Sequence, residues 1–390
     1  MRSYWLNRFQ VDCAAGQYRF RDRLLPAARR LPAEAFAGLH GLERELAYFR
    51  LGFMSPRLPA FPQAVADRPR NAQDACFWQF PCRTEGAADE AHAGLGAVPL
   101  QDGELHCYLG LPWATFIDKK QIDDTAVRVA RTRLSGLRHA LGRLGAGLRV
   151  HTVCQHVYWR KLAPAWAAIG VTDVWASHAP AESAAQSAAW PFKLHPWALF
   201  AVNVEDPQRR AGLVAGKDPA HKQHLASFIG AHAGHYLSDA RLRLRALADA
   251  PGFVVRVNEK WHFEDVVYRH QVAGAPLADT YRIDDSVAEY NRVLSESVFA
   301  LCPAGAGPNT LRLWEALAVG AVPVLLGPAP RLPQGGSLEP IDWERIVVRV
   351  ADGQISALPT ILRGIPPDEI RRRQRMGMEA YAKTRQQRCF

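Results

Sequence analysis

From about residue 100 onward, short apolar runs alternate with longer stretches in which apolar positions recur at helical spacing. The runs Glu104–Gly110, Leu148–Cys154 and Val171–Ser177 read as strands. Between them, Val127, Val129, Leu134, Leu137, Leu141 and Leu144 place a helix over 123–145, ended by Gly145-Ala146-Gly147. Trp159 to Gly170 reads as the next helix. Strand and helix in alternation predict a parallel α/β sheet. Residues 1–110 are more irregular, and Pro56 to Pro62 reads as a surface crossing.

The pattern breaks at 203–222, a polar stretch with Pro207, Gly212, Gly216 and Pro219, which reads as an interdomain linker. It then restarts. Leu225–Gly230, Phe253–Val257, Ser297–Cys302, Ala321–Leu326 and Ile346–Val350 read as strands. Helices are expected over Leu237–Leu247, Val287–Ser295, about Asn309–Val319 and 367–385. The organisation is therefore 1–205, a linker at 206–222, a second domain over 223–365, and a basic helix over 366–390 that packs back on the first domain. In folds of this class ligands gather at the carboxyl ends of the strands.

Composition narrows the function classes. Hydrophobic residues make up 48% and charged residues 22% of 390, a globular balance. The longest nearly apolar run, Ala316 to Gly327, is interrupted by Pro323 and is too short to span a membrane. The first residues lack an apolar signal-peptide core, so a cytosolic protein is expected. The seven cysteines are scattered, without Cys-x-x-Cys spacing, and Cys302 reads as a buried thiol. His221/His224 and His232/His235 lack the i,i+4 spacing of helical zinc ligands, and Asp123-Asp124 reads as a helix start. No Gly-x-Ser-x-Gly elbow is present. A net charge of +10 favours anionic partners.

The most informative stretch is Ser297 to Leu317. A buried strand feeds a loop containing Gly305 and Gly307, and the loop opens a helix capped by Asn309 or Thr310. Glycines allow close backbone approach, and a helix N-terminus favours a phosphate. Arg312 adds a fixed cation, and Glu315, one turn on, suits ribose hydroxyls. The loop is neither a Walker A nor a Gly-x-Gly-x-x-Gly motif, which argues against an ATPase and a dehydrogenase. Arg256, Lys260 and Arg269, after the Phe253–Val257 strand, are further cations for a donor phosphate.

The stretch from Tyr290 to Trp343 resembles the signature half of the exostosin family, glycosyltransferase family 47, in a bacterial form. The resemblance runs through Ser297–Gly305, Arg312–Leu317, Gly320–Leu326, Leu332-Pro333 and Ile341-Asp342-Trp343. It covers roughly 225–365 and is looser before that, through Pro112–Thr115 and Thr152–His156. It implies a GT-B-like fold, with two Rossmann-like domains facing across a cleft and a nucleotide-sugar donor held by the second. It also implies inverting transfer to an acceptor hydroxyl without an essential metal or other cofactor.

An inverting enzyme needs one general base beside the acceptor. The candidates from the first domain are Asp118, His156 and His178, the two histidines lying just past expected strands. Trp159, Trp166, Trp175, Trp190 and Trp197 cluster there, and core packing outweighs sugar stacking as their role. The expected partners are a nucleotide sugar and a glycan or lipid-linked glycan acceptor, in surface polysaccharide or lipopolysaccharide assembly. The basic tail from Arg371 to Arg388 suits either a final helix packed across the domains or docking on an anionic inner-membrane surface. The alternative class is a non-catalytic glycan- or nucleotide-binding scaffold, or a basic nucleic-acid binder; no helix-turn-helix, RRM or zinc-finger pattern supports nucleic acid.

Overall fold

The computed structural model describes residues 9–12, 17–20, 82–94, 100–101, 104–118, 124–142, 145, 147–180, 190–276, 279, 285–334 and 340–386. The Pro56–Pro62 crossing, Cys13, Cys76, Cys389, Asp123 and Arg388 lie outside the described residues.

A short antiparallel hairpin pairs β1 (Phe9–Asp12) with β2 (Gln17–Phe20). Helix α1 (Thr84–Gly94) leads to the first sheet. That sheet is ordered β3 (Leu100–Gln101), β4 (Glu104–Tyr108), β5 (Gly147–Cys154), β6 (Asp173–Ala176) and β7 (Lys193–Pro196), parallel except for β3. Val150 to Cys154 of β5 are buried on both faces, which is why that strand reads as an unbroken run rather than an alternation. Helices α2 (Trp113–Asp118), α3 (Asp124–Gly142) and α4 (Ala163–Ile169) accompany this sheet. Gly170 ends α4 in the left-handed region at φ 82°, where a β-carbon would be strained. The aromatic core is built on Trp113, Trp159 and Trp166, with Trp166 edge-on to Trp113 at 5.7 Å between ring centroids. Trp159 and Trp166 are fully buried core, as their spacing suggested.

The second sheet contains β8 (His224–Ala231), β9 (Phe253–Asn258), β10 (Ser297–Pro303), β11 (Val322–Leu326) and β12 (Val348–Val350). Its order is β12-β11-β10-β8-β9, parallel throughout. The chain steps from β8 outward to β9 and then returns to β10 on the other side. The loops after β8 and β10 therefore diverge and open a crevice between them, the place where doubly wound sheets bind ligands.

The connecting segment begins with α5 (Val202–Glu205) and is pinned rather than loose. Arg209 is buried, and Asn291 donates its side-chain amide to the carbonyls of Arg209 and Ala211 at 2.6 and 2.8 Å. Asn291 lies on α7 (Asp285–Ser295). In place of one helix over Leu237–Leu247, α6 (Ala240–Arg243) passes directly into a tighter turn over Leu244–Leu247. The strand expected at Ile346–Val350 shrinks to β12, because Ile346 closes the turn at Trp343–Arg345. The sequence pattern did not show α1, α2 or β7.

Helix α8 (Leu311–Val319) follows the β10 loop, and α9 (Leu358–Arg363) precedes the last helix, α10 (Pro367–Gln386). α10 packs on α8 of the second half and reaches the first through its end. Arg385 donates to the Leu199 carbonyl at 3.0 Å and pairs with Glu205 at 2.7 Å. Arg371, Arg372 and Arg373 pair within the helix with Asp368 and Glu369. Among the described residues, no helix is long and apolar enough to cross a membrane.

The carboxyl edges of the two sheets face each other. Asn309 Nδ2 donates to the Ser177 carbonyl at 2.8 Å, Arg331 donates its N–H to the Ala179 carbonyl at 3.1 Å, and Pro180 bridges Pro330. The architecture is α/β, two parallel sheets opposed across a cleft, as the GT-B-like expectation required.

Candidate active site

On the first edge the organising group is Glu85, 1% exposed in the first turn of α1. Its Oε1 accepts the Gln155 N–H at 3.0 Å and the Ala114 N–H at 3.2 Å, and its own N–H donates to Gln155 Oε1 at 3.1 Å. One carboxyl thus grips the start of α2 and the backbone just before His156. Burial pushes the Glu85 carboxyl up to about 8, against the pull of those two N–H groups. α2 is also locked to β5, since Trp113 Nε1 donates to Thr152 Oγ1 at 2.7 Å and that hydroxyl donates to the Leu109 carbonyl at 2.6 Å.

These anchors bring Asp118, at the end of α2, to His156, just past β5. His156 Nε2 lies 3.0 Å from Asp118 Oδ1, and both side chains are largely buried. The Tyr158 N–H donates to His156 Nδ1 at 3.0 Å. A backbone N–H can only donate, so Nδ1 is the acceptor and the ring proton sits on Nε2, directed at Asp118. Two of the three base candidates are therefore one hydrogen-bonded pair, with His156 orienting the carboxylate.

His178 stands apart from that pair. Its ring lies against Gly307 across the cleft, so closely that a β-carbon at Gly307 would collide with Nδ1. Burial, helped by His156, lowers its pKa to about 3, which keeps it neutral near pH 7. Among the described residues its Nδ1 has no hydrogen-bond partner.

The opposite edge is cationic. Arg312, on the first turn of α8, and Arg241, on α6, are each 8% exposed. Both guanidiniums lie over the Phe228 ring, at 4.4 and 5.7 Å from its centroid. Arg241 donates to the carbonyls of Ala231 (2.6 Å), Ala304 (3.1 Å) and Pro303 (3.3 Å), and Arg312 donates to the Ile229 carbonyl. Each guanidinium has five N–H donors, so both keep some in reserve. Among the described residues neither forms an ion pair with a carboxylate. Burial and the neighbouring Arg312 lower the Arg241 pKa to about 10. Two buried like charges without a counter-carboxylate form a site that an anion would stabilise.

Two glycines make room for these cations. A β-carbon on Gly305 would stand 2.9 Å from Arg241 Nη2, and one on Gly230 would stand 2.8 Å from Arg312 Nη2. Gly305 is thus needed for cation packing, while its own N–H is spent on the Gly307 carbonyl at 3.0 Å.

The remaining donor-side candidates separate. Thr310 is the residue that precedes α8, yet its side chain makes no capping bond. Asn309 acts as a clasp between the halves: besides reaching Ser177, its Oδ1 accepts from Thr310 N–H at 2.9 Å and Trp314 Nε1 at 3.0 Å. Glu315 has both oxygens occupied, by the Asn203 N–H at 3.1 Å and the Tyr290 hydroxyl at 2.6 Å. It secures the connecting segment to α8, where a ribose contact had been expected. Arg256 pairs with Glu289 of α7 at 2.8 Å in a half-exposed ion pair, Arg269 faces Asp265 at 3.7 Å on an exposed turn, and Lys260 is exposed. None of these three joins the guanidinium pair.

Arg241, Phe228 and Glu85 escaped the sequence reading. For Arg241 a signal was present: Ala240, Leu244 and Leu247 form an i, i+4, i+7 stripe that faces the core, and Arg241 adjoins it while Arg243 points outward.

Residues 201–365 match the exostosin GT47 domain model. A probable glucuronosyltransferase of rice (Oryza sativa subsp. japonica) is 38% identical over 92 residues, 24% of this chain and 21% of that protein. A probable beta-1,4-xylosyltransferase of Arabidopsis thaliana is 37% identical over 92 residues, 24% of this chain and 22% of that protein. The chain thus matches about a fifth of the length of these curated relatives. Among solved structures, sucrose-phosphate synthase from Thermosynechococcus elongatus aligns at TM-score 0.37 and 12% identity, covering 77% of this chain and 72% of that one. The stretch that matches the exostosin GT47 domain model, residues 201–365, includes the whole of the second sheet.

Proposed function

We propose that the chain is an inverting glycosyltransferase that moves a sugar from a nucleotide-diphosphate donor to a hydroxyl of a glycan acceptor. The observation that carries this reading is a buried Arg241–Arg312 pair on one sheet edge and an Asp118–His156 pair on the other, with the edges joined where Asn309 reaches Ser177 and Gly307 meets His178. The GT47 match over 201–365 and the glycosyltransferase names of the relatives support it.

In the proposed step the acceptor hydroxyl loses its proton to the Asp118 carboxylate, and its oxygen bonds to the anomeric carbon. The bond from that carbon to the phosphate oxygen breaks, and its electron pair leaves with the nucleoside diphosphate. The spare N–H donors of Arg241 and Arg312 take up the developing charge, the role that metal-free transfer assigns to fixed cations. His156 holds Asp118 in place and shares its proton as the carboxyl changes charge. We assign the product to surface polysaccharide or lipopolysaccharide assembly at the cytoplasmic face of the inner membrane. The support for the membrane part is the +10 charge and the exposed arginines of α10.

The test is a thermal-shift panel of UDP, GDP, CMP and their sugar conjugates. A ligand that binds the native state raises Tm by mass action. The reading expects a selective rise with one nucleoside diphosphate, abolished in Arg312→Ala. The absence of any rise would favour a scaffold without donor binding.

A further inference from the structure

At the carboxyl edge of the first sheet, Ser177, His178 and Ala179 all have their backbone carbonyls committed. The Ser177 carbonyl accepts from Asn309 Nδ2 at 2.8 Å, the His178 carbonyl from Trp159 Nε1 at 3.3 Å, and the Ala179 carbonyl from the Arg331 N–H at 3.1 Å. The Ser177 N–H donates to the Cys154 carbonyl of β5 at 3.0 Å. Trp159 also ties this segment to the carboxylate–imidazole pair, because its own N–H donates to the His156 carbonyl at 3.3 Å. The backbone is therefore held from both halves of the molecule. The side chains are not used in the same way. Ser177 Oγ and His178 Nδ1 are both buried, and among the described residues neither has a hydrogen-bond partner. Buried polar atoms are nearly always paired, so orphans on adjacent residues of a firmly held segment imply a ligand.

Their place indicates its chemistry. His178 lies against Gly307, while Arg241 lies against Gly305 and donates to the carbonyls of Pro303 and Ala304. One short loop thus has a guanidinium on one glycine and an imidazole on the other. The stretch of chain between the two glycines spans at most ~7 Å, a separation that one sugar ring covers. Neither side chain is charged: a hydroxyl is neutral, and burial keeps the imidazole unprotonated near pH 7. A neutral pair of this kind suits hydroxyl groups, whereas a phosphate is better met by the guanidiniums.

Resting on the glycosyltransferase reading, we propose that Ser177 and His178 form the subsite that reads the hydroxyls of the transferred sugar. With the donor phosphates on Arg241 and Arg312, the next group outward is the sugar, and it meets Gly307 and His178. The contact between His178 and Gly307 loosens to admit it. Binding then supplies the partners that Ser177 Oγ and His178 Nδ1 lack. A sugar without hydroxyls in the matching places leaves both atoms unpaired. That asymmetry makes the pair a determinant of donor choice, since an unpaired buried polar group costs more than a paired one contributes. The carbonyl clasps fix where the two side chains stand when the edges come together.

The experiment titrates the full chain and its Ser177→Ala, His178→Ala and His178→Gln variants by calorimetry. The probes are the nucleoside diphosphate selected by thermal shift, the nucleotide sugar of that base with the largest shift, and the monodeoxy analogues of that nucleotide sugar. The parent should bind the nucleotide sugar about tenfold more tightly than at least one monodeoxy analogue, the effect of one lost hydrogen bond in a buried site. Ser177→Ala and His178→Ala should each weaken the nucleotide sugar about tenfold, and His178→Gln should recover part of that loss. For at least one analogue, the alanine change and the missing hydroxyl should cost no more together than either alone. All three variants should bind the bare nucleoside diphosphate like the parent, which also shows that they fold. Alanine variants that hold the nucleotide sugar like the parent would overturn the subsite. So would an equal loss of the bare nucleoside diphosphate in all three, or losses that simply add for every analogue. A parent that binds no nucleotide overturns the glycosyltransferase reading itself, which separates the two failures.

Discussion

The two edges of the cleft handle buried charge in opposite ways. On the first, the charged group is compensated: His156 directs a proton at Asp118, and Glu85 holds both segments through backbone N–H groups. On the second, two guanidiniums share one aromatic ring, lean on carbonyls and have no carboxylate partner among the described residues. A compensated pair is stable alone and suits a proton acceptor whose position must not drift. An uncompensated pair is costly until an anion arrives, so its energy is available for binding and for stabilising a leaving group. On the proposed reading, the acceptor belongs to the first edge and the donor phosphates to the second.

The sharpest way to break this comparison is Asp118→Asn, which keeps shape and removes the base. Its kcat should fall about a thousandfold, measured as release of nucleoside diphosphate in the presence of acceptor. A loss of less than about tenfold would move the proton acceptor elsewhere. Arg312→Ala should lower kcat/KM about a hundredfold, within the range of removing one preorganised donor at a developing anion. Arg312→Lys should recover only part of it, because an ammonium lacks the planar fork that lies over Phe228.

The reach of sequence reasoning also divides along the cleft. The second sheet was legible because its central strands β10 and β11 are buried runs, and because Ser297 to Leu317 is an ordered set of local signals. Strand β7 was not, since Lys193-Leu194-His195-Pro196 has too few apolar residues to register as a strand. The site was half legible. Arg312, Gly305 and the histidines could be named from their place after strands. Their partners could not, because Glu85 and Gln155 lie 70 residues apart and Asn309 and Ser177 lie 132 apart. A hydrogen bond across such a separation leaves no periodic trace. Glu315 shows how a local pattern underdetermines a partner: its helical spacing from an arginine suggested a ligand, and in this structure its oxygens accept from the Asn203 N–H and the Tyr290 hydroxyl.

Glu85 sharpens the comparison through pH. Its folded pKa of about 8 lies above the ordinary value of 4.5, so the folded chain binds the extra proton more tightly than the unfolded chain. This group's contribution to stability is therefore present below about pH 4.5 and is lost as pH rises through 8. Glu85→Gln removes that dependence. Its stability relative to the parent should rise between pH 5 and pH 8 by on the order of a few kcal/mol, read from denaturant midpoints. A constant difference across that range would mean that Glu85 titrates normally. The smallest effect is expected at the contact between the edges. Gly307→Ala forces a β-carbon against His178 and should cost about 1–3 kcal/mol of stability, with Tm lowered by a few degrees.

The most direct measurement is calorimetric titration of the selected nucleoside diphosphate into Asp118→Asn and Arg312→Ala side by side. The account predicts that Asp118→Asn binds it as the parent does while remaining inactive, and that Arg312→Ala loses most of the affinity. Loss of binding in Asp118→Asn, or parent-like binding in Arg312→Ala, would contradict the division of labour between the two edges.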